Sequence, residues 1–89
     1  MKNVSVLHLV LKHCWFDKIA SGIKTSEYRE CSPYWNKRLN NKHYDFVIFH
    51  RGYTNTTVKF KIKSVNITTL PNDLNLPKCW EIKLSPQDN

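Results

Sequence analysis

The run from Thr57 to Lys63 alternates strictly, with Val58, Phe60 and Ile62 on one side and Lys59, Lys61 and Lys63 on the other. A period of two marks a strand with one face on a core and the other in water. The phase then flips, because Val65 and Ile67 carry the apolar signal onward, so a β-bulge is expected near Lys63–Ser64. Such a strand needs partners that bury the same face. Val4–Leu11 reads as one: Val4, Val6 and Val10 with His8 lie on one side, and Leu7, Leu9 and Leu11 on the other, which predicts cover on both faces. Tyr44–Phe49 is a second nearly continuous apolar strand, and Cys79–Leu84 turns Trp80, Ile82 and Leu84 inward.

Two short helices interrupt this pattern. From His13 to Ser21 the residues Trp15, Phe16, Ile19 and Ala20 fall at helical spacing, and Trp15 is read as core rather than as a stacking platform. Gly22 suits the left-handed position that ends a helix. From Thr25 the composition favours a further strand. Ser32-Pro33 is a helix start, a side-chain cap followed by proline at the first helical position, and the helix runs to Leu39. Trp35 and Leu39 share one of its faces, as do Tyr34 and Arg38. His50-Arg51-Gly52-Tyr53 is a turn and Pro71–Lys78 a loop. The expectation is an α+β, mostly β fold: a five-stranded, mainly antiparallel barrel with two short helices, a shape that removes exposed strand edges. A single domain spans residues 1–89, its core about 4–84, with 85–89 as a frayed tail.

Charge narrows the function. Fourteen Lys and Arg stand against seven Asp and Glu, a net charge of +7, and Asp45 is the only acid between Lys37 and Lys63. A field of this sign draws polyanions, and the aromatics among the bases point to nucleic acid. The three cysteines, Cys14, Cys31 and Cys79, form no Cys-x-x-Cys pair. They predict reduced thiols in a cytoplasmic protein without a disulfide partner, with Cys14 and Cys31 as small buried residues. No signal peptide and no membrane-length apolar run are expected. His8, His13, His43 and His50 show no ligand spacing, so neither metal nor cofactor is expected.

The densest chemistry lies in Gly22–Arg29, which reads Gly-Ile-Lys-Thr-Ser-Glu-Tyr-Arg. On a strand Glu27 and Arg29 point the same way, with Lys24 at the strand's mouth. Either Lys24 and Glu27 form an ion pair that ties helix end to strand, or the three read a nucleobase, with Lys and Arg donating and Glu accepting. Tyr34, Arg38, Arg51 and Tyr53 are further candidate ligand contacts, Gly52 is a turn residue of the motif, and Lys59, Lys61 and Lys63 are candidate contacts to a nucleic-acid backbone.

These residues resemble the ASCH (activating-signal-cointegrator homology) domain, a relative of the PUA fold, a small RNA-binding barrel. Gly22, Lys24, Glu27 and Arg29 stand at the positions of its Gly-x-Lys-x-x-Glu-x-Arg signature. The likeness extends to Leu7–Lys12, Trp15-Phe16-Asp17, Pro33-Tyr34-Trp35, Arg38-Leu39 and Gly52-Tyr53. The resemblance implies a PUA-like barrel that holds RNA, a nucleotide or a nucleoside in a cleft lined by the signature. It also implies two hydrolytic alternatives with Lys24 and Glu27 as the catalytic acid–base pair: a ribonuclease, or an amidohydrolase acting on a modified nucleoside. The bacterial branch that deacetylates cytidine uses a threonine three residues after the lysine, and Glu27 occupies that position here. A third alternative is a protein-interaction module with a basic face.

Overall fold

The computed structural model describes residues 4–86. Seven elements follow in order: β1 (Val6–Leu11), α1 (His13–Ala20), β2 (Ser26–Glu30), α2 (Pro33–Leu39), β3 (Phe46–Arg51), β4 (Thr57–Thr68) and β5 (Cys79–Leu84). The strands form one sheet in the order β1-β3-β4-β5-β2. Three ladders are antiparallel, but β1 and β3 pair in parallel, Val6 opposite Phe46 through Leu11 opposite Arg51. The sheet is therefore mixed. Parallel pairing needs a long crossover, and α1, β2 and α2 all lie between these two strands.

β4 organises the sheet. Its first half pairs with β3 and its second half with β5, and the register shifts between Ile62 and Ser64, where the phase flip of the sequence placed a bulge. The shift turns the sheet, which curls into a half-barrel with β1 and β2 as its two edges. The expected barrel is thus half formed. Inside it lie Leu7, Leu9 and Leu11, Val47 and Phe49, and Ile82, while α1 adds Phe16 and Ile19 and α2 adds Leu39. Phe49 and Phe60 meet edge to face with centroids 6.2 Å apart. An aromatic pair in this geometry adds about 0.5–1.5 kcal/mol beyond its area burial.

A half-barrel has one interior, which corrects two sequence expectations. β1 is covered on one face only: the leucines are buried, while His8 is exposed and Val10 is 46% exposed. Cys14 is exposed rather than buried, Cys31 is half-buried and Cys79 is buried; all three are free thiols. Burial pushes the Cys79 thiol above its usual pKa. Among the described residues no helix is long and apolar enough to cross a membrane. Ser85, expected in a frayed tail, donates its N–H to the Lys61 carbonyl at 2.9 Å; residues 87–89 of that tail, and residues 1–3 of the expected domain, lie outside the described region.

The helices are fixed by their caps. Ser21 ends α1, and Gly22 follows at φ 85° and donates to the Ile19 carbonyl. Ser32 Oγ accepts from the Trp35 N–H at 3.3 Å, with Pro33 next to it. Trp80 Nε1 donates to Asn36 Oδ1 at 2.8 Å and ties α2 to β5.

Candidate functional site

The backbone after α1 delivers Lys24. Its N–H donates to the Lys18 carbonyl at 3.0 Å, so the lysine starts from the helix end rather than from a free loop. Two residues on, β2 begins and pairs with β5, Glu27 opposite Ile82 and Arg29 opposite Trp80. Glu27 and Arg29 share a face, as alternation requires, and that face turns towards the core: Glu27 is 7% exposed, the one buried charged residue among those described.

A carboxylate at that depth must be compensated. Arg29 Nη2 donates to Glu27 Oε2 at 2.8 Å, and Lys24 Nζ stands 3.8 Å from Oε1. The Tyr28 N–H also donates to Oε1, at 3.2 Å. Arg29 Nη2 also reaches the Val10 carbonyl at 3.4 Å, spanning the open seam between the edges β2 and β1. The Nε of Arg29 is buried with no hydrogen-bond partner among the described residues. Lys24 makes a further ion pair with Asp73, which the 69–78 segment carries in from outside.

Aromatic rings frame these charges. Lys24 Nζ lies 5.3 Å from the Trp15 ring centroid and 4.8 Å from that of Tyr28, and the Arg29 guanidinium lies 5.0 Å from that of Trp35. All are within the reach of cation–π attraction. Tyr28 OH donates to Glu81 Oε2 at 3.4 Å; burial, and then the nearby Glu81 charge, raise its pKa, so it remains a neutral donor well into the alkaline range.

Of the three cavities that Lys24 lines among the described residues, two carry these charged and aromatic side chains. The first, of about 560 Å³, is lined by Glu27, Arg29, Trp15 and Trp35, with Leu74 and Leu76 of the 69–78 segment closing one side. The second, of about 580 Å³, carries Lys18, Lys63 and Lys83 beside Glu81. Lys24, Trp15, Tyr28 and Asp73 line both. Each is within the usual range for ligand sites, about 300–1,000 Å³.

The other sequence candidates fall elsewhere. Arg38 packs over the Tyr34 ring at 3.6 Å on α2, and neither residue lines the cavities at Lys24. Arg51 makes a two-pronged pair with Asp17 at 2.9 and 3.0 Å, which holds the Asp17 carboxyl below its ordinary pKa. Tyr53 is 99% exposed beyond Gly52. Gly52, at φ 57°, donates to the Leu11 carbonyl; the left-handed backbone favours glycine there, and a Cβ would come within 2.9 Å of His13 Nε2, the tip of an exposed side chain. Lys59 and Lys61 stay on the outer face of β4, Lys59 over the Phe46 ring at 4.3 Å, whereas Lys63 at the bulge enters the second cavity.

Sequence reading missed Lys18, Asp73, Glu81 and Lys83, which come from three different segments, α1, the 69–78 loop and β5. It also placed Trp15 in the core only. Trp15 does pack on the core, and its other side lines both cavities. Among the described residues no group of three or more His, Cys, Asp or Glu is placed to hold a metal ion. The chain matches no family model and no curated protein.

Proposed function

We propose that the protein is an RNA- or nucleotide-binding domain of the ASCH kind, PUA-like in its half-barrel, holding a base in the cleft of Glu27 and Arg29 and the attached phosphates along Lys18, Lys63 and Lys83. The observation that carries this reading is the position of Lys24, shared by an aromatic-walled cleft and a lysine-lined groove. A base offers flat faces to Trp15 and Trp35 and polar edges to Glu27 and Arg29. A phosphate meets ammonium groups in the adjoining groove. The Asp73 carboxylate on Lys24 occupies the place of such an anion. Three free thiols suit a cytoplasmic setting.

A hydrolytic role for Lys24 and Glu27 asks these groups to exchange protons with a substrate. Arg29 and the Tyr28 N–H hold Glu27 from two sides, which favours recognition over turnover. The test is a titration of short single-stranded RNA and of mononucleotides, followed by tryptophan fluorescence because Trp15 and Trp35 line the cleft. Quenching that saturates in the wild type and is lost in Lys24→Met supports the reading. Equal binding by the two proteins, or none by the wild type, overturns it, and RNA cleavage by the wild type in the same samples would replace binding with catalysis.

A further inference from the structure

The outer face of the β1–β3 ladder holds a constellation that the cleft does not use. In this parallel pairing Val10 lies opposite His50 and His8 opposite Ile48, so the two histidines stand diagonally across adjacent strands. Both alternate with buried neighbours, Leu7 and Leu9 beside His8 and Phe49 beside His50, and so project away from the core. His8 Nδ1 and His50 Nε2 face each other at 3.0 Å, with ring centroids 5.3 Å apart.

Facing ring nitrogens at this distance need one donor and one acceptor. The same two nitrogens, each with its lone pair directed inward, are what a late first-row divalent cation requires. Tetrahedral coordination with metal–nitrogen bonds of about 2.0–2.1 Å sets two ligand nitrogens roughly 3.3 Å apart. The pair is therefore already near its chelating separation, and a small ring rotation supplies the difference. The hydrogen-bonded ladder beneath fixes both Cα atoms, so little ordering remains to be done on binding. Of the sheet neighbours on this face, Val10, Ile48 and Thr57 bring no charge, while Lys59, opposite Ile48, brings a cation that lies over the Phe46 ring.

We propose that His8 and His50 form an open two-histidine chelate for a divalent cation of the zinc, nickel or copper(II) class, with water completing the coordination. Forty-two positions separate the two residues, so no local spacing reveals the site; only the strand register does.

Nickel(II) titrated into the intact protein, by calorimetry and by the imidazole proton signals, tests this directly. The wild type should bind one equivalent with broadening centred on His8 and His50. His13→Gln and His43→Gln should keep that equivalent. His8→Gln and His50→Gln should each weaken it by at least about tenfold, the low end of the loss seen when even an outer-shell partner of a metal ligand is removed. Melting curves check that these outward-facing changes leave the fold intact. Nickel binding by a His8→Gln/His50→Gln double variant equal to that of the wild type, or broadening centred on other histidines, overturns the proposal.

Discussion

Two sets of charged side chains on this small sheet have opposite designs. At the β2 edge Lys24, Glu27, Arg29 and Asp73 mix signs, sit partly or wholly out of water and hold one another within ion-pair distance. On the outer face of β4, Lys59 and Lys61 repeat one sign in a regular row open to solvent. In the first set each charge depends on its neighbours, because low dielectric makes an unmatched ion costly. In the second, exposure to water weakens whatever each charge meets. Burial thus makes position matter, and a charged side chain whose position matters is able to select a ligand rather than merely attract one.

The largest effect expected from this contrast is on stability. Glu27→Ala leaves Lys24 and Arg29 facing each other without their shared acid and should cost about 3–5 kcal/mol, the range for breaking a buried ion pair. Lys61→Ala should change stability by no more than about 0.5 kcal/mol. Denaturant unfolding of both variants measures this, and equal midpoints would remove the distinction between the two regions.

Binding should divide the lysines in the same way. If phosphates follow the groove at Lys24, changing Lys63 and Lys83 together to Gln should lower the salt dependence of RNA binding by about 0.7 per lost contact. Changing Lys59 and Lys61 together to Gln should leave the slope where it was. A reversed result would move the backbone contacts to the outer face.

A smaller effect is expected at Asp73. If a ligand anion binds Lys24, the Asp73 carboxylate competes with it, so Asp73→Asn should tighten nucleotide binding by up to about fivefold, the equivalent of a partly exposed ion pair of about 1 kcal/mol. Weaker binding in that variant would make Asp73 part of the ligand's own support.

The smallest concerns the Asp17–Arg51 pair, which lies outside the cleft. The folded pKa of Asp17 is lowered below its ordinary 3.8, chiefly by the hydrogen bonds from Arg51. The pair therefore contributes stability above the unfolded pKa and loses it as pH falls through the folded one. Asp17→Asn should melt slightly below the wild type at neutral pH, and the gap should close on acidification below 3.8. A gap independent of pH would point to packing instead of charge.

What could be read from the sequence follows the range of each interaction. Alternation and caps are local, so the strand at Thr57–Thr68, its bulge and the Ser32-Pro33 helix start were legible. The grouping of Lys24, Glu27 and Arg29 was legible for the same reason, being set by a helix end and a strand period. Asp73, Lys83 and the diagonal of His8 and His50 depend on which strands pair and in what register, and no local pattern encodes that. The one-sided burial of β1 was hidden too, because Val6 and Val10 look the same in sequence whether or not anything covers them.

The partnership of β2 with β5 has a consequence for the order of assembly. Among the described residues the strand that carries Glu27 and Arg29 has no ladder partner but β5, which begins at Cys79. As the chain emerges during synthesis, β1, β3 and β4 can align while β2 still waits for its neighbour. Closing such a distant pairing is slow, since loop entropy is lost before the contacts form. A nascent chain that lacks Cys79–Leu84 holds most of the core residues yet leaves β2, and with it the buried carboxylate, without a ladder to settle on.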